Sequence, residues 1–207
     1  MDAYAHAPLH ELNRAAPTVV IGASGHNITN LGSYVAVEFE FLHDVLTALE
    51  TLRQRGVDLR VIVKVRDNGY REQYDAFVRE YFPSLAPEII AGAPIRPLLE
   101  RADFYISIYS QTLFEASCLG VPALYYRKDT EIMFAPFDGK SELVTVDNVD
   151  DLVRAIEEFR AGGSRFDAFL RREAMEKYIG PLDGCSLERN VLQIEKLLFQ
   201  DAQEVAA

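Results

Sequence analysis

Lys64, Ser110, Gln111, Thr112 and Glu115 are the residues of this chain whose types and spacing suit the binding of an anion beside a polyol. Lys64 lies inside an otherwise apolar run, Val61-Ile-Val-Lys64-Val65. A charge there is costly unless it has a partner or reaches solvent at the strand end. Two readings follow: an ammonium facing an anionic ligand at the carboxyl edge of a sheet, or a strand-end lysine paired with a carboxylate. Ser110, Gln111 and Thr112 belong to a polar elbow, Tyr109 to Thr112, between a buried strand and a short helix. Such an elbow aims the first amides of a helix at the carboxyl end of a parallel strand, which suits a phosphate or diphosphate. Ser110 also fits as a plain N-cap. Glu115 comes three residues after the elbow. It either reaches a ribose beside that phosphate or sits in the first helical turn, where the helix dipole favours acids.

The elements that must position these groups are legible from apolar runs and their punctuation. Buried strands are predicted at Thr18–Ile21, Leu59–Val65, Glu88–Ala91, Phe104–Ile108, Val121–Tyr126 and Leu143–Val146. Helices are predicted between and after them: Val35–Arg55, ended by Gly56, then Arg71–Phe82, Pro94–Arg101, the segment from the elbow to Gly120, and Val149–Arg160, capped by Asp147 or Asn148. Two more, Phe166–Tyr178 and Ser186–Gln200, close the chain around the turn Gly180-Pro-Leu-Asp-Gly184. Strands and helices alternating at this pace predict an α/β fold, a Rossmann-like parallel sheet with helices on both faces. Residues 17–200 form one domain in this reading, with 1–16 a flexible lead-in and 201–207 a tail. Neither GxGxxG nor a Walker A sequence is present; Gly22-Ala-Ser-Gly25 is only a GxxG.

Composition narrows the partners. The 207 residues suffice for a full core, and the formal net charge of −11 argues against nucleic acid, which needs clustered cations. Cys118 and Cys185, without a CxxC pair, fit free thiols in a reducing cytoplasm. No apolar run is long enough for a membrane span, which leaves peripheral membrane association open. His26, in the Gly-rich first loop, is either a proton shuttle or a solvated loop residue. No spacing among His6, His10, His26 and His43 matches a metal site. The loop Asp129 to Lys140, with Asp129, Glu131 and Asp138, either folds over the outer part of a ligand or covers a sheet edge.

The stretch Ala102-Asp103-Phe-Tyr-Ile-Ser, Ser110-Gln-Thr-Leu-Phe-Glu115-Ala116, Leu119-Gly120-Val121-Pro122 resembles the signature of the C-terminal, nucleotide-binding half of GT-B-fold glycosyltransferases. The surface-polysaccharide and CDP-glycerol glycerophosphotransferase branch is most similar, since a strand ending in lysine, here Val61 to Lys64, precedes its signature. Gly180-Pro-Leu-Asp183-Gly184 through Arg189 is similar to the G-x-x-D-G-x-x-x-x-R stretch before the last helix of such enzymes. The resemblance implies that Glu115 binds the ribose, that Lys64, Ser110, Gln111 and Thr112 hold the diphosphate, and that residues near Asp138 face the donor sugar. It implies a nucleotide-sugar donor (UDP-, CDP- or GDP-linked) and no cofactor. The acceptor, a glycan or lipid-linked molecule, would bind through a second, N-terminal domain that also carries the catalytic base. Two alternatives share the fold: a non-catalytic binding or assembly module, and half of a sugar-nucleotide 2-epimerase.

Overall fold

Six strands form one all-parallel sheet in the order β3-β2-β1-β4-β5-β6. The structure, a computed structural model, describes residues 1–23, 32–66, 71–128 and 132–204. The strands are β1 (Thr18–Gly22), β2 (Arg60–Lys64), β3 (Glu88–Ile90), β4 (Phe104–Ser107), β5 (Ala123–Tyr126) and β6 (Val144–Val146). The helices are α1 (Gly32–Gln54), α2 (Arg71–Tyr81), α3 (Arg96–Leu99), α4 (Thr112–Cys118), α5 (Val149–Arg160), α6 (Asp167–Leu170), α7 (Arg172–Ile179) and α8 (Ser186–Glu204).

Alternation along each strand divides the core in two, as a sheet covered on both faces requires. Val19 and Ile21 of β1, Val61 and Val63 of β2, and Phe104 and Ile106 of β4 face one way, against Leu42, Leu46 and Leu49 of α1 and Ile156 of α5. Val20, Ile62 and Tyr105 face the other way, against Leu99 of α3, Leu113 and Phe114 of α4, and Phe169 of α6. The predicted α/β sheet with helices on both faces is the observed one.

Two details differ from the sequence reading. The helix predicted over Phe166–Tyr178 is interrupted at Arg171, whose ψ of 131° is extended, so α6 and α7 are separate. No Gly or Pro marks that break. The helix after the elbow starts at Thr112, with Gln111 rather than Ser110 at the N-cap. Of the two caps the sequence offers for α5, Asn148 takes the role, its side chain accepting from the Asp151 amide at 2.9 Å.

Residues 1–16, expected as a flexible lead-in, lie against the domain in this structure. A 3-10 turn, Asp2–Tyr4, is followed by a stretch without regular secondary structure. The buried Asp103 accepts the amides of Asn13 at 2.6 Å and Thr18 at 2.7 Å, which fixes the approach to β1. At the other end, α8 starts on a clamp. Arg189 donates to both carboxylate oxygens of Asp183 at 2.9 and 2.7 Å, which holds that carboxyl down at about 2. Most of α8 stands exposed, including Leu187, Leu192, Ile194 and Leu198. No helix among the described residues is long and apolar enough to cross a membrane.

Candidate functional site

Strand register brings the ends of three strands together. Gly22 of β1 pairs with Lys64 of β2 on one side and Ser107 of β4 on the other. The sheet reverses its winding direction between β1 and β4, and in open α/β sheets the crevice at that reversal is where ligands bind. A cavity of about 160 Å³ opens there, with Gly22, Lys64 and Ser107 in its floor and Ser110 and Thr112 of the elbow in its wall. Ala93 and Ile95, from the connection between β3 and α3, close a third side.

The groups lining the cavity are tied to one another. Ser107 Oγ donates to the Gly22 carbonyl at 2.8 Å. Tyr105 sits beneath, its hydroxyl hydrogen-bonded to Thr112 Oγ1, and burial pushes its pKa up to about 12. Ser110 Oγ bonds Thr112 Oγ1 at 2.7 Å and accepts the Thr112 amide at 3.3 Å. Such a bond inside the turn fits the elbow's shape as much as ligand binding. Lys64 is half-buried, and its ammonium donates to the Val65 carbonyl at 2.5 Å.

The cavity thus gathers Lys64, Ser110 and Thr112. Gln111 is exposed and lines an adjoining cavity of about 560 Å³, walled by Tyr109, Phe114, Phe134, Phe137 and Tyr178. Glu115 lies one turn beyond Thr112, half-buried, and its Oε2 accepts the Tyr4 hydroxyl at 2.6 Å. Asp138 lines neither cavity. Its carboxylate accepts the amides of Lys140 at 3.0 Å and Ser141 at 2.9 Å, and these bonds hold it below the ordinary carboxylate range. It folds the loop, as an Asx turn does. His26, Asp129 and Glu131 lie outside the described residues.

Sequence reasoning passed over Arg66 and Tyr105. Arg66 is exposed and lines the cavity beside Lys64. It follows Lys64 by two residues, and in extended backbone such residues share a side, so the Lys-Val-Arg spacing carried the signal. Among the described residues, no group of three or more His, Cys, Asp or Glu is placed to hold a metal ion.

Neither protein-family models nor curated protein sequences match this chain. Solved structures do. The fold is similar to Staphylococcus aureus MnaA in a UDP co-structure, with a TM-score of 0.62 and 18% identity over 96% of this chain and 47% of that one. It is similar to Anabaena Alr3699/HepE in complex with UDP-glucose, with a TM-score of 0.57 and 12% identity over 88% of this chain and 50% of the other. The chain folds as one half of a GT-B architecture. A Listeria monocytogenes protein assigned as a UDP-N-acetylglucosamine 2-epimerase shares this GT-B half at a TM-score of 0.53 and 13% identity, over 76% of this chain and 39% of that one. The chain therefore spans about half the length of the structures it matches. At these identities the likeness speaks for the fold, and the chemistry has to be argued from the site.

Proposed function

We propose that this GT-B half binds the donor of a glycosyltransferase, a nucleotide-sugar whose diphosphate lies at the elbow. The observation that carries the reading is the convergence of Lys64, Arg66, Ser110 and Thr112 on one cavity at the β1/β4 crevice. Two cations and the hydroxyls of Ser110 and Thr112 suit a diphosphate in charge and hydrogen-bonding chemistry. The two matched structures that hold UDP or UDP-glucose support this choice of ligand class. The nucleoside would extend toward Ala93 and Ile95, with Glu115 at the ribose, and the sugar would project over Tyr109. In the intact enzyme the cations and hydroxyls would bear the charge that develops on the departing diphosphate, which is electrostatic stabilisation of the transition state. The acceptor and the catalytic base belong to a second domain.

Isothermal titration of the chain with UDP, CDP and GDP tests the reading. One of them should bind with a Kd in the micromolar-to-millimolar range, and Lys64→Ala should weaken it about tenfold, as loss of one charge-assisted contact does. No heat and no thermal shift with any of the three at millimolar concentration would sink it. The Listeria likeness favours a second reading, half of a sugar-nucleotide 2-epimerase, which predicts the same nucleotide binding. The two part on product: the two-domain protein would either move the sugar to an acceptor or return it, still nucleotide-linked, with one carbon inverted.

A further inference from the structure

The segment before β1 lies across the outer face of α4, and four hydrogen bonds tie its first turn down. Tyr4 Oη donates to Glu115 Oε2 at 2.6 Å. Arg96 of α3 donates to the Ala3 carbonyl at 3.0 Å, and its guanidinium stands 5.2 Å from the centre of the Tyr4 ring. The Asp2 carboxylate accepts the amides of Ser186 and Leu187, both at 3.0 Å, and so caps α8. Met1 and Tyr4 pack on the small apolar cluster of Cys118, Met175 and Leu182.

Tyr4 brings to Glu115 what a nucleoside would bring: a flat ring on one side and a hydroxyl aimed at the carboxylate. The contact fills a hydrogen-bonding position that the ribose reading needs. Glu115 is absent from the lining of the elbow cavity, although Thr112, one turn earlier on the same helix, is part of it. Burial and the neighbouring Glu115 both push the Tyr4 hydroxyl pKa up, so it stays protonated and remains a donor across the ordinary pH range.

We propose that the turn Asp2–Tyr4 is a displaceable plug, in which Tyr4 holds the Glu115 carboxylate of the free chain and an entering nucleotide must displace it. This rests on the donor-binding reading above. A ligand that needs an open seat binds with an apparent affinity lowered by the fraction of chains whose seat is open. Tyr4→Phe keeps the ring under Arg96 and removes the hydroxyl, so the seat opens more often.

The test is titration of the full chain and its Tyr4→Phe variant with UDP, and with CDP and GDP in parallel. It is joined by hydrogen exchange of residues 1–7 in the unmodified chain with and without saturating nucleotide. Tyr4→Phe should tighten nucleotide binding about tenfold, the factor expected when one charge-assisted competitor bond is lost. The amides of Tyr4, Ala5 and Ala7, bonded within the turn region, should exchange faster once nucleotide is bound. Equal or weaker binding by Tyr4→Phe overturns the plug while leaving the donor reading standing. Unchanged or slower exchange at residues 1–7 does the same, and needs no variant. If neither chain binds any of the three nucleotides, the donor reading falls and the plug falls with it.

Discussion

Gly22 is the last residue of β1 and part of the cavity floor, and a single added methyl group there should be felt in both stability and binding. A Cβ built at this position stands 2.8 Å from Tyr105 Cζ and 3.1 Å from Ser107 Oγ, and closer still to the Tyr105 hydroxyl. Ordinary contacts begin near 3.4 Å. Tyr105 cannot swing aside easily, because it is buried and its hydroxyl is bonded to Thr112. Gly22→Ala should therefore cost about 2–3 kcal/mol, the upper part of the range for overpacking a closed site. Tyr105→Phe alone should cost about 1 kcal/mol through the lost hydrogen bond. In the double variant the worst overlap is gone, although the ring carbon remains tight. The pair should then be less destabilised than the sum of the singles by about 1 kcal/mol or more. Urea unfolding of the four chains at a shared m-value reads the coupling. Additivity within about 0.5 kcal/mol would refute the crowding of Gly22 by the tyrosine hydroxyl.

Other expectations follow from contacts around the site. Asp103→Ala strips partners from two backbone amides, Asn13 and Thr18, and should destabilise the chain by about 2–4 kcal/mol in urea unfolding. Asp103→Asn, which keeps one acceptor oxygen, should cost clearly less. Glu142 accepts from Lys177 and Tyr178, and these two bonds lower its pKa from 4.5 to about 2. A carboxyl held low in the folded state stabilises above its unfolded pKa and loses that contribution as pH falls through the folded value. The stability gap between the unmodified chain and Glu142→Gln should therefore be full at pH 6 and shrink between pH 4.5 and about 2. A gap that widens on acidification would contradict the pairing.

The sheet was legible because each strand is a short apolar run, and a buried strand covered on both faces has no other way to be written. The elbow was legible because polar residues interrupt one apolar run just before another. Lys64 declared itself by sitting where a charge does not belong. What stayed hidden depends on partners distant in sequence. Tyr4 meets Glu115 across 111 positions and Asn13 meets Asp103 across 90, and no periodicity in residues 1–16 announces either contact. The local role of Asp138 stayed hidden for the opposite reason: an acid in a loop after a strand reads as a ligand group, and here it accepts the amides of its own turn. The break at Arg171 has no breaker residue, so the separation of α6 from α7 is a matter of packing rather than propensity.

The position of β1 has a consequence for how the chain reaches this structure. Of the six strands of this sheet it is the first to be synthesised, yet it lies between β2 and β4 in the finished sheet. Residues 18–90 can assemble β1, β2 and β3 in order of synthesis, but one edge of β1 then has to wait for Phe104–Ser107. During that interval Val19, Val20 and Ile21 present an unsatisfied strand edge, the kind of surface that recruits the wrong partner. Synthesis through β4 closes this opening, and the same pairing brings Gly22 beside Ser107. The floor of the ligand crevice and the protection of the nascent sheet are thus completed in a single step.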